Sequence, residues 1–198
     1  MKVIGITGGV GSGKTALLTY IAEKYNCKVL LADEAAHLVK EPGTECYQAL
    51  VDLLTDEILS PDGTIHKGKM AEKIFASELL REQTNAIIHP AVKKLILQEI
   101  SSQRKKGEID FFFLEAALLI EDGYLNIVDE MWYIYAEESI RRRRLKASRG
   151  YTDEKIDSIM RSQLSEQEYR ENCSVIIDNS GSLALACSQI DQKLGEYR

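Results

Sequence analysis

Apolar residues recur along the chain with two spacings, and the switches between them divide it into strands and helices. Val3, Ile4, Ile6 and Thr7 make a first β-run interrupted only by Gly5, and after a glycine-rich stretch helical spacing runs from Ala16 to Tyr25. Lys28-Val29-Leu30-Leu31 predicts a short buried strand ending at Ala32-Asp33. Glu41-Pro42-Gly43-Thr44 breaks a helix, Glu45 to Leu54 starts another, and Ser60-Pro61-Asp62-Gly63-Thr64 is a turn. Lys67 to Lys106 is helical in pattern throughout, with His89-Pro90 marking the start of a further helix, since a residue before proline is driven away from helical angles. Asp110 to Leu114 is an apolar run without alternation, the composition of a strand buried on both faces, and it ends at Glu115. Met131 to Tyr135 and Val175 to Ile177 are the fourth and fifth strands. Helices are expected over Glu137 to Lys146, Asp153 to Ser165 and Leu183 to Leu194, the last preceded by the turn and capping residues Asp178-Asn179-Ser180-Gly181.

Strands alternating with helices predict an α/β domain around a parallel sheet. At 198 residues a single domain spanning 1–198 fits, with a helical insertion over about 34–106 and a polar helical hairpin over about 140–170. That hairpin reads either as a mobile lid or as a rigid surface feature.

Charge and cysteine usage narrow the classes. A formal charge of −6 lacks the basic footprint of a general nucleic-acid binder. Cys27, Cys46, Cys173 and Cys187 are scattered, with no C-x-x-C pair and no histidine at ligand spacing, so free buried thiols are expected rather than zinc or disulfides. The N-terminus runs straight into a strand, and the apolar run Phe111 to Ile120 is short and contains Glu115. A cytoplasmic protein without membrane segments is expected.

The chemistry begins between the first strand and first helix, where Gly8-x-x-x-x-Gly13-Lys14-Thr15 has the spacing of a phosphate-binding loop. Backbone N–H groups converge on phosphate oxygens, the helix N-terminus adds partial positive charge, and Lys14 adds a full one. The Thr15 hydroxyl suits a phosphate-bound Mg²⁺. Gly8, Gly9, Gly11, Ser12, Gly13, Lys14, Thr15 and Ala16 are the expected nucleotide-binding residues. Asp33 follows a strand's carboxyl end, the edge where ligands bind in open α/β sheets, and is either a base or the cap of a helix starting at Glu34. Glu115 occupies the same kind of position and is either a Mg²⁺ partner or a solvated acid; Glu121 follows on the next loop, a second candidate with the same solvated alternative. Four arginines at 141–144 point in four directions on a helix; Arg141 and Arg144 share a face and are the pair to aim at phosphates. His89 either contacts an acceptor or makes a local hydrogen bond. A GTPase switch would need Asp-x-x-Gly after the third strand and Asn-Lys-x-Asp; the first occurs only at Asp178 to Gly181 and the second is absent.

With these segments in place, nearly the whole chain resembles the dephospho-CoA kinase family. The matching pieces are Ile6 to Lys14, Ala32-Asp33, Val39-Lys40-Glu41-Pro42-Gly43, Asn85-Ala86-Ile87-Ile88-His89-Pro90, Leu118-Leu119-Ile120-Glu121, Gln163 and Val175 to Gly181. The resemblance implies a three-layer P-loop nucleoside/nucleotide kinase-like fold with a five-stranded parallel sheet, a helical acceptor-binding insertion and a lid. It implies ATP-dependent phosphorylation of the ribose 3′-hydroxyl of dephospho-CoA, with Mg²⁺, by a monomer with at most weak self-association. Asp33 would be the base, Lys14, Arg144 and Arg149 would neutralise the transferring phosphoryl group, and Thr15 and Glu115 would hold Mg²⁺. His37, His89 and Glu121 would join Asp33 in binding the acceptor. The chain departs from the family pattern in several places. Leu31 stands where a first carboxylate is usual, His37 where arginine is frequent, Glu115 for aspartate and Ala117 for proline, and the second lid arginine is shifted to Arg149. The competing reading is a nucleoside or nucleoside-monophosphate kinase with the same core.

Overall fold

The computed structural model describes residues 1–116 and 118–197; Ala117, one of the departures noted above, lies outside them. Packing divides the chain into two compact units, residues 1–29 with 106–198 and residues 30–105.

The first unit is built on strands β1 (Lys2–Thr7), β3 (Phe111–Glu115), β4 (Glu130–Tyr135) and β5 (Val175–Asp178), with β2 (Cys27–Leu31) leading out of it. The sheet is parallel with order β2-β3-β1-β4-β5. Its centre is the sequence's most apolar material: Val3, Ile4, Ile6, Phe111 to Leu114 and Met131 to Ile134 are all buried, as strands covered on both faces require. Register pairs Ile6 with Glu115 and Thr7 with Tyr133, so the carboxyl ends of β1, β3 and β4 lie level. The strand order reverses direction at β1, and the crevice beyond such a reversal is where open α/β sheets bind ligands. Helix α1 (Lys14–Lys24) packs against α9 (Leu183–Gly195), and one carboxylate links them. Asp191 accepts from Tyr20 at 2.7 Å, Tyr25 at 2.5 Å and Lys24 at 2.6 Å.

Partial burial alone would raise the Asp191 pKa, but the hydrogen bonds from Lys24, Tyr25 and Tyr20 outweigh it and lower the group from 3.8 to about 2. A depressed carboxylate stabilises the fold above its unfolded pKa and loses that contribution as pH falls through the folded value. Asp191→Asn should therefore cost of order 1 kcal/mol at neutral pH, solvent screening of a carboxylate 34% exposed being allowed for. The gap from wild type should close between about pH 4 and pH 2, as read by urea denaturation across that range.

Three helices between β4 and β5 differ from the sequence expectation. Helix α6 (Glu138–Arg149) runs on to Arg149, past the expected end at Lys146, and stops at Gly150 in the left-handed conformation. The expected helix from Asp153 to Ser165 ends early, as α7 (Asp153–Arg161), and a further helix, α8 (Glu166–Asn172), follows where none was expected. The break was written in the sequence: Ser165 and Glu168 form a reciprocal capping box that starts a new helix. Helix α8 is pinned to the sheet by Tyr169, 2% exposed and stacked on Tyr133 at 4.6 Å. The anchored α8 therefore belongs to the body of the unit.

The second unit is helical: α2 (Ala32–Leu38), α3 (Glu45–Leu54), α4 (Lys67–Phe75) and α5 (Glu78–Lys106). Leu50, Leu54, Ile58, Met70, Val92, Ile96 and Ile100 form its core. Helix α5 corrects the expected start after His89-Pro90, because it passes through Pro90 without ending. An interior proline costs about 3 kcal/mol. Val92, Ile96 and Ile100, at four-residue spacing beyond it, each recover about 1.5–3 kcal/mol by burial and outweigh that cost.

All four cysteines are free, and Cys46, Cys173 and Cys187 are buried, as expected. Among the described residues no helix is long and apolar enough to cross a membrane.

Candidate active site

Residues 8–13 connect β1 to α1, which begins at Lys14, two residues before the expected start. Among the α-helices of the described residues α1 alone combines the lack of a side-chain cap with the lack of an acidic residue in its first turn. Its N-terminal N–H groups keep their partial positive charge for something outside the chain.

Lys14 curls back over the loop. Its Nζ donates to the Gly8 carbonyl at 2.6 Å and lies 3.8 Å from Glu115 Oε1, with the side chain only 14% exposed. Burial lowers the Lys14 pKa, opposed by Glu115 and reinforced by the charges of Arg141 and Arg149. A desolvated ammonium ringed by cations gains from an added anion.

The loop is braced from outside by four side chains far away in sequence. Arg141 Nε donates to the Val10 carbonyl at 2.9 Å, and its Nη2 reaches Gln163 Oε1 at 3.0 Å. Gln163 accepts in turn from the Val10 N–H at 3.1 Å. Arg144 bridges the carbonyls of Ser12 at 3.2 Å and Asn179 at 2.8 Å, while Asn179 Nδ2 donates to Ser12 at 2.7 Å. Two glycines are dictated by this bracing. At Gly13, with φ 91°, a Cβ would strike the Asn179 amide; at Gly9 it would strike the Arg141 guanidinium. Gln163 lies in the turn after α7, and neither it nor Asn179 was among the expected site residues, while Arg141, expected to face phosphates, is committed to the Val10 carbonyl. The available signal was Arg141 sharing a helix face with Arg144. Three buried side-chain oxygens here, Thr7 Oγ1, Ser12 Oγ and Asn179 Oδ1, have no partner among the described residues. Each costs about 1–3 kcal/mol, a stability loss concentrated where the loop turns.

Asn179→Ala should leave the Ser12 carbonyl to Arg144 alone. The expected result is a three- to tenfold rise in KM for nucleotide, corresponding to about 1 kcal/mol, with a smaller change in kcat, measured by steady-state kinetics.

Of the other expected residues, the structure brings Glu115, at the end of β3, against Lys14. Thr15 is exposed in the first turn of α1, and Arg149 is exposed at the end of α6 with its guanidinium 5.8 Å from the Tyr151 ring. Glu121 is exposed on a turn after β3. In the second unit, Asp33 is no cap: α2 starts at Ala32, its N-cap is Leu31, and no side chain caps it. Asp33 and His37 line a cavity of about 610 Å³ between α2 and α4, whereas His89, mid-way along α5, does not. No group of three or more His, Cys, Asp or Glu among the described residues is placed to hold a metal ion unaided.

Comparison with known proteins matches this geometry. A family model described as dephospho-CoA kinase matches residues 2–184. A dephospho-CoA kinase of Streptococcus agalactiae is 34% identical over 191 residues, 96% of this chain and 95% of the relative, and one of Dehalococcoides mccartyi is 33% identical over 180 residues, 91% and 89% of the two chains. Among solved structures, a dephospho-CoA kinase from Campylobacter jejuni superposes with a TM-score of 0.76 at 20% identity, covering 99% of this chain and 97% of that one, which speaks for the fold.

Proposed function

The chain belongs to the dephospho-CoA kinase family, and we propose that the loop at 8–13, Lys14 and Asp33 carry the family's reaction here. That reaction is ATP-dependent phosphorylation of the ribose 3′-hydroxyl of dephospho-CoA, the last step of coenzyme A synthesis. The observation that carries the site assignment is the uncapped, acid-free start of α1 behind the loop, a made anion site.

ATP's phosphates lie against the N–H groups of the loop and α1, and Lys14 supplies the full charge. The P–O bond to the β-phosphate breaks as the 3′-oxygen bonds to phosphorus, ADP leaves, and Asp33 takes the hydroxyl proton. Asp33 suits this role by connectivity, two residues past the end of β2. Arg149 adds charge that reaches Lys14 across the site, while Arg144 acts both on the phosphoryl group and as a brace of the Ser12 carbonyl. Such chemistry needs little covalent help, so positioning and electrostatics supply most of the rate.

The Thr15 hydroxyl and the Glu115 carboxylate are hard oxygen donors of the kind Mg²⁺ prefers, and they fit an ion that draws its remaining ligands from phosphate and water. The ion would offset phosphate charge. His37, His89 and Glu121 remain the acceptor-side residues of this reading, α6 and α7 form its lid, and the enzyme works as a cytoplasmic monomer.

An acceptor panel tests it. With ATP and Mg²⁺, dephospho-CoA should be converted to CoA, while adenosine, AMP and CMP react at least 100-fold more slowly. Comparable turnover of AMP or CMP would move the assignment to a nucleoside-monophosphate kinase.

A further inference from the structure

The cavity that holds Asp33 carries a charge pattern that the reaction alone does not explain. Asp33, Ala36, His37 and Lys40 line it from one side, at spacings i, i+3, i+4 and i+7, so one face of α2 and its C-terminal extension forms the wall. Lys67, at the start of α4, faces them, with Ile65, Met70 and Ile74 further along. Neither the Lys40 nor the Lys67 ammonium makes a hydrogen bond or ion pair with any described residue. The neighbouring lysines of this unit behave differently: Lys69 donates to the Leu59 carbonyl at 2.7 Å, Lys73 to Leu54 at 2.6 Å, and Lys94 pairs with Glu45 at 3.1 Å. Burial disfavours the Lys40 charge, and Lys67 adds to the effect while Cys46 and Asp33 oppose it. Asp33 and Glu41 also line the cavity, but neither forms an ion pair with either ammonium, so the two mutually repelling cations remain open to an added anion.

The spacing along α2 says which anion. Asp33 and Lys40 are seven residues apart, on the order of 10 Å at 1.5 Å per residue. Long lysine stems shorten that separation. In dephospho-CoA the 3′-hydroxyl and the 5′-diphosphate leave neighbouring ribose carbons, a shorter span that a lysine reaching back along the wall meets. An acceptor whose hydroxyl lies at Asp33 therefore brings its diphosphate toward Lys40. Lys40 and Lys67 are the permanent cations of the cavity lining, so its fixed positive charge comes from these two side chains. We propose that Lys40 and Lys67 clamp the 5′-diphosphate of the acceptor, and that this lysine pair sets the enzyme's preference for a diphosphate-bearing acceptor over a bare nucleoside. The inference rests on the acceptor assignment above and deepens it.

Steady-state kinetics on Lys40→Met, Lys67→Met and the double variant test it, with adenosine as a competitive inhibitor against dephospho-CoA. KM for dephospho-CoA should rise about tenfold in each single variant and about 100-fold in the double, with KM for ATP within twofold of wild type. The adenosine Ki should stay within twofold, since adenosine carries no diphosphate; this also shows that the cavity is intact. Lys40→Arg and Lys67→Arg should restore KM to within about threefold. An active wild type whose dephospho-CoA KM is unmoved in the double variant overturns the lysine clamp and leaves the acceptor standing. Adenosine Ki rising in parallel with KM overturns it as well, showing that the lysines only shape the cavity. A wild type that leaves dephospho-CoA unphosphorylated overturns the acceptor and the clamp together.

Discussion

Lys14→Met should lower kcat/KM for ATP by at least about 10³-fold while leaving the melting temperature equal to or above that of wild type. The first half follows from position. The ammonium is held on the Gly8 carbonyl at the start of α1, and removing a preorganised charge from a phosphoryl-transfer site costs about 3–4 kcal/mol or more in transition-state stabilisation. The second half follows from burial. With its side chain 14% exposed, Lys14 has given up most of its hydration for one carbonyl and a carboxylate 3.8 Å away, and burial dominates the depression of its pKa. A methionine of similar length fills the same space without that desolvation cost. Calorimetric titration with ATP and a thermal melt on the same preparation read both halves. Wild-type ATP affinity in the variant would remove Lys14 from the site, and a fall of several degrees in Tm would show that its bond to Gly8 holds the fold.

Asp33→Asn should separate chemistry from binding in the opposite sense. If Asp33 takes the proton of the acceptor hydroxyl, kcat falls by about 10²-fold or more while the ATP dissociation constant stays within twofold. No stability change beyond about 0.5 kcal/mol is expected, because the side chain is exposed and caps nothing; its gain from the α2 dipole is that of a screened first-turn acid. Retained turnover would exclude Asp33 as the base. The contrast between the two variants matters more than either alone, since a general loss of folding would depress nucleotide binding in both.

The sheet was legible because its strands are unmixed apolar runs, and a run such as Phe111-Phe112-Phe113-Leu114 can hardly be anything but a strand buried on both faces. The loop was legible because it is local: strand, glycines, lysine and helix follow one another without interruption. The braces were not. Arg141, Gln163 and Asn179 act on Val10 and Ser12 across 131, 153 and 167 residues, and nothing in an arginine run or an Asp-Asn-Ser turn announces which distant carbonyl it will meet. Two helix boundaries failed for different reasons. Pro90 was given its local preference, which tertiary burial of Val92, Ile96 and Ile100 overrides. The capping box at Ser165 was local and legible, but Ser165 was read as the end of one helix rather than the cap of the next.

The dependence of the loop on residues 141, 163 and 179 also bears on synthesis. During synthesis the complete glycine motif is made well before the amide that secures Ser12, which follows it 167 residues later. The help that bound nucleotide gives to folding thus reaches its full size only after residue 179 has been made, and a product stopped before Asn179 would carry the signature of a kinase with a loosened loop.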